Sequence, residues 1–114
     1  MRDSATPPIV IDDHGDISLF PTLADAAREL EAIDVVESVY EAFDSNGRRL
    51  SLAVSEGLVR IWLDPQSVSE PDELLRRLRY FIMRVGPDRI GLDNAETVSL
   101  DAAVRALARF FRVT

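Results

Sequence analysis

The single imidazole of this chain sits among carboxylates, in the run Asp12-Asp13-His14-Gly15-Asp16. Carboxylates bind hard cations and orient a histidine for general-base work. Asp13, His14 and Asp16 are therefore the residues from which a small metal-dependent hydrolase would be built. The same letters are also turn chemistry, because Asp side chains bond nearby backbone and Gly accepts a positive φ. The run lacks the glycine at position six and the glutamate at position twelve of an EF-hand loop. A polar turn between two strands is the expectation.

Composition removes most other chemistry. The chain has 114 residues and no cysteine, so it carries no disulfide framework, thiolate nucleophile or Cys-based zinc site. One histidine excludes the two-histidine metal motifs, and there is no G-x-G-x-x-G, P-loop or G-x-S-x-G. Glu37 and Glu41 could suggest the carboxylate pair of a glycosidase, but that needs a cleft and a controlled separation. The expectation is a non-enzymatic protein with no cofactor. No apolar run approaches the roughly 18 residues that span a bilayer, and Met1–Val10 has no signal-peptide core, so a cytoplasmic location is expected.

Charge is unevenly spread. Net charge is −7, and every basic residue is arginine. Residues 1–70 hold 14 acids and 5 bases, whereas residues 71–114 hold 6 acids and 8 bases. Between Asp12 and Asp44 ten acids face Arg28 alone. Such a front repels nucleic acid and attracts cationic proteins. Arg76, Arg77, Arg79 and Arg84 do not lie in one line at about 100° per residue, so they read as a solvated helix face rather than a phosphate stripe. Glu37, Glu41 and Asp44, with Asp12, Asp13 and Asp16 beside them, become the candidate surface for a cationic protein partner. Trp62 and Tyr80 read as core-margin aromatics.

The elements that must position these residues follow from periodicity. Residues 1–8 form a loose lead to a single domain spanning the chain. Ile9–Ile11 and Ile17–Phe20 are strand signals on either side of the His14 turn. Thr22 caps a helix in which Leu23, Ala26, Ala27, Leu30 and Ile33 make one apolar stripe. Val35–Phe43 reads as a strand, because the turn Asp44-Ser45-Asn46-Gly47 and the alternating run Arg48–Val54 follow it. Within that strand Glu37 and Glu41 share a parity. After Ser55-Glu56-Gly57 comes the most apolar strand, Leu58–Leu63, with Leu58, Arg60 and Trp62 on one face. Ser69 caps a helix that Gly86-Pro87 stops, and Ser99 opens the last one. The order β-β-α-β-β-β-α-α implies an α+β domain, a small, mostly antiparallel sheet with helices on one face. Its exposed edge also permits a homodimeric assembly domain.

The runs Pro8-Ile9-Val10-Ile11, Gly15–Phe20, Asp25–Glu31, Ile33-Asp34-Val35, Tyr40–Asp44 and Gly47–Leu50 together resemble small acidic bacterial proteins. Some of these look like immunity proteins of polymorphic toxin systems. The resemblance covers residues 8–50 and implies a cytoplasmic protein that neutralises a cognate toxin by direct contact. It transfers no site residue.

Overall fold

The computed structural model describes residues 4–113. Strands β1 (Ile9–Asp13) and β2 (Asp16–Phe20) pair antiparallel around a two-residue turn, His14–Gly15, with φ of 51° and 96°. Positive φ at both central residues matches the twist of a tight hairpin. Helices α1 (Leu23–Glu29) and α2 (Ala32–Val36) follow, then β3 (Tyr40–Phe43), β4 (Arg49–Ser55) and β5 (Leu58–Trp62). The β4–β5 turn, Glu56–Gly57, repeats the first, with φ of 54° and 77°. All pairings are antiparallel, and the five strands lie in the order β2-β1-β3-β4-β5. Helices α3 (Pro71–Val85), α4 (Pro87–Ile90) and α5 (Leu100–Phe111) complete this α+β fold.

The helices cover both faces of the sheet, not one as the periodicity suggested. Val10, Ile17, Leu19 and Phe43 point to one side and join Leu74, Leu78, Ile82, Val104 and Leu107 of α3 and α5. Ile9, Ile11, Ala42, Leu50 and Ile61 point to the other and receive Ala26 of α1. Successive strand residues face opposite ways, so the unbroken apolar run Ile9-Val10-Ile11 requires a cover on each side. Ala26, fully buried, lets α1 approach closely.

Local departures from the expected elements have local causes. The stripe through Ile33 is broken at Leu30–Glu31 into two helices, and Ile33 is 65% exposed. Val35–Val36 ends α2 instead of opening a strand, so the strand expected over Val35–Phe43 begins only at Tyr40. Its pairing with β4 is as expected, through Ala42 with Leu50 and Phe43 with Arg49. Thr22 and Ser99 cap α1 and α5 as predicted, accepting from the N–H groups of Asp25 and Ala102. Ser69 does not cap α3. It forms a bridge with Arg48, and the Glu70 N–H donates to Gly47 O at 2.7 Å, so the helix starts at Pro71. Residues 4–8 are tethered rather than loose: Ser45 N donates to Thr6 O, and Arg48 donates to Ser4 O.

Candidate functional site

The acidic front is divided by the fold into carboxylates the protein consumes and carboxylates it leaves free. Asp12, on β1, shares the face of Val10 and so points toward α3, where it is only 5% exposed. Arg77 reaches it from α3, with Nη1 donating to Asp12 Oδ2 at 2.7 Å. The same guanidinium donates to both carboxylate oxygens of Glu41 and, through Nε, to Glu73 Oε2. Arg49 donates to Glu41 and Glu70 in turn. Both guanidinium groups lie over the buried Phe43 ring, 4.5 Å (Arg49) and 5.3 Å (Arg77) from its centroid.

This network sets the proton affinities of its members. Hydrogen bonds from Arg77 and then Arg49 hold the Glu41 carboxyl below its ordinary value. Arg76, with Arg77 after it, lowers Glu73 to about 2. Burial works against the Arg77 charge, but its bonds to Glu41, Asp12 and Glu73 outweigh that and raise its pKa. Arg77 thus points inward and ties α3 to the sheet, contrary to its assignment to a solvated helix face. Arg79 likewise turns to the Val98 carbonyl, at 2.7 Å. A concavity of about 330 Å³ opens above the network, bordered by His14, Ser38, Val39, Arg76 and Tyr80.

Asp44 is consumed more completely. It is fully buried, and its carboxylate accepts from the N–H groups of Thr6, Asn46 and Arg48 and from the Arg48 side chain. It is the clamp that holds the N-terminal segment against the β3–β4 turn. Neither Asp44 nor Asp12 has a face left for a partner, which removes both from the expected binding surface. Glu41 keeps 44% of its side chain exposed but is already paired with Arg49 and Arg77. Glu37 terminates α2 and is not on a strand, so it shares no face pattern with Glu41.

The remaining carboxylates gather on the side of α1. Asp13 and Asp16 are opposite one another across the β1–β2 hairpin. With Glu29, Leu30, Ser18, Phe20 and Tyr40 they line a cleft of about 250 Å³. Asp16 and Glu29 are exposed and make no ion pair among the described residues, and Asp13 meets only His14, at 3.2 Å. Tyr40 connects this cleft to α2. Its hydroxyl donates to Asp34 Oδ2 at 3.3 Å and accepts from the Glu31 N–H at 3.4 Å. Burial, with the Asp34 charge added, raises the phenol above its ordinary value against the lowering bond from Glu31. On α2 itself Val35 is buried, while Ile33 and Val36 (70% exposed) stand outward beside Glu37.

The hydrolase candidates Asp13, His14 and Asp16 lie together on the β1–β2 hairpin. His14 is in the turn with its side chain 76% exposed, and no group of three or more metal-ligating side chains occurs among the described residues. Trp62 and Tyr80, expected at the core margin, are 41% and 57% exposed. No helix among the described residues is long and apolar enough to cross a membrane. Comparison of the chain with protein-family models, curated proteins and solved structures gives no match.

Proposed function

We propose that this protein is a non-enzymatic binding module that captures a cationic protein, in the manner of an immunity protein that neutralises a toxin. The observation that carries this reading is the cleft of Asp13, Asp16 and Glu29, which Tyr40 joins to α2, the helix that leaves Ile33 and Val36 exposed. Free carboxylates offer guanidinium and ammonium groups a charge-assisted, salt-sensitive contact and steer their approach. Exposed aliphatic side chains rimmed by charge supply the desolvated centre that such a contact lacks alone. Glu31 and Glu37 continue the acidic rim along α2. A cytoplasmic location follows from the same reading.

The test is a paired capture from the organism that encodes the chain. Wild type and a variant carrying Asp16→Asn, Glu29→Gln and Glu37→Gln serve as baits. A basic protein retained by the first and released by the second, and whose activity the purified wild type abolishes at equimolar ratio, supports the proposal. Equal retention of every protein by the two folded baits refutes it.

A further inference from the structure

Strand β5 forms one edge of the sheet, and its outward main-chain groups can be identified from the turn that precedes it. A two-residue loop makes its flanking residues, here Ser55 and Leu58, a hydrogen-bonded pair. Bonded pairs alternate along the ladder, so Leu58, Arg60 and Trp62 spend their N–H and C=O groups on β4. Val59 and Ile61 direct theirs outward, and neither makes another main-chain or side-chain hydrogen bond among the described residues. The adjoining face is also bare: α3 and α5 cover the β1–β3 end, leaving Leu58 63% and Trp62 41% exposed.

We infer that this edge pairs with the same edge of a second copy, extending the five-stranded sheet to ten strands across a two-fold axis. The sequence of β5 selects the register. Two-fold antiparallel pairing places residue i opposite residue j with i plus j constant, and facing residues must share a side of the sheet. Centring on Arg60 would set the two Arg60 side chains against each other, which is repulsive. Centring on Ile61 avoids this. Ile61 then meets its own copy, and Val59 meets Leu63, all through outward main-chain groups. On the open face each Arg60 lies opposite the other copy's Trp62, two reciprocal cation–π pairs. Charge agrees at the ends, where Asp64 of one copy arrives opposite Leu58 of the other, on the face that carries Arg60. This contact uses a different edge from the acidic cleft and is independent of the function proposed above.

Sedimentation velocity over a concentration series should show wild type shifting from monomer to dimer. Trp62→Lys sets like charges across the interface and should weaken the dimer roughly tenfold or more. Trp62→Glu, facing Arg60, should retain it, and Arg60→Glu combined with Trp62→Lys should restore it. Because Trp62 is exposed, these variants should keep the wild-type circular dichroism. Amide exchange on unmodified protein provides a check that needs no variant: Val59, Ile61 and Leu63 should become protected as concentration rises. Monomeric wild type at every concentration, or equal effects of Trp62→Lys and Trp62→Glu, would overturn the inference.

Discussion

Replacing Arg77 by methionine keeps the aliphatic stem and removes the charge that three carboxylates share. Asp12 bears the consequence, since it is 5% exposed and its remaining partner is the Gly15 N–H at 2.7 Å. Breaking a buried ion pair from one side costs about 3–5 kcal/mol, because the surviving charge stays desolvated. Glu41, with 44% of its side chain exposed, recovers much of its hydration and adds little. Loss of the contact with the Phe43 ring adds about 0.5–1 kcal/mol. The expected destabilisation is therefore about 3.5–6 kcal/mol, a large part of the 5–15 kcal/mol typical of a domain. Urea unfolding with an unchanged m-value measures it. Asp12→Asn in the same background removes the stranded charge, so the double variant should be about 2 kcal/mol more stable than the sum of the single effects. A loss below about 1 kcal/mol for Arg77→Met, or strict additivity with Asp12→Asn, would show that Arg77 does not bind α3 to the sheet as argued.

Acid should weaken the fold in a definite window. Glu73 is held at about 2 and Glu41 is lowered in the folded protein, so between about pH 4.5 and about 2 the unfolded chain binds more protons. Stability is complete above that window and falls as the pH drops through it; urea midpoints independent of pH there would contradict the assignment. Asp44→Asn removes the acceptor charge beside Arg48 at a fully buried position and should cost about 2–3 kcal/mol in thermal or urea unfolding. A cost within about 0.5 kcal/mol, the range of ordinary surface changes, would return Asp44 to the list of dispensable acids. Gly47→Ala should destabilise by more than about 2 kcal/mol, because φ is +87° and the added Cβ would lie 2.4 Å from the Pro71 Cα, a backbone atom that cannot step aside. An unaffected melting temperature would show that the β3–β4 turn and the start of α3 are not locked together.

What could be read in advance was local. The His14–Gly15, Asn46–Gly47 and Glu56–Gly57 turns specify their hairpins within a few residues, and Thr22 and Ser99 cap their helices from three residues away. The failures were of two kinds. Val35-Val36 carries strand-like side chains yet ends a helix, because α2 buries only Val35 and tertiary cover overrides a weak propensity. The two-sided cover was legible in Ile9-Val10-Ile11, apolar at both parities, but helix periodicity does not say which face a helix will take. The second kind was long-range. Arg77 lies 65 positions from Asp12, and no spacing rule connects them. Asp44 did carry a signal, since Asp-Ser-Asn-Gly is an Asx turn whose carboxylate is consumed by backbone.

That distinction changes what the acidic front means. Counted along the chain, ten carboxylates against one arginine suggest a surplus that folding cannot use. In the structure Asp12, Glu41 and Asp44 receive Arg77, Arg49 and Arg48 from outside the segment, and Asp25 receives Arg28 from within it. Their excess is structural, and neutralising them would damage the fold before it revealed any partner. The carboxylates without an arginine partner among the described residues are another population: Asp13, Asp16, Glu29, Glu31, Asp34 and Glu37. Solubility alone would be served by charges placed anywhere on the surface. These instead line one cleft and continue beside the exposed pair Ile33 and Val36, where an apolar ridge left uncovered is a liability to a monomer. Unpaired charge in the cleft and exposed apolar surface on α2, joined through Tyr40, are the combination on which the proposed capture of a protein partner rests.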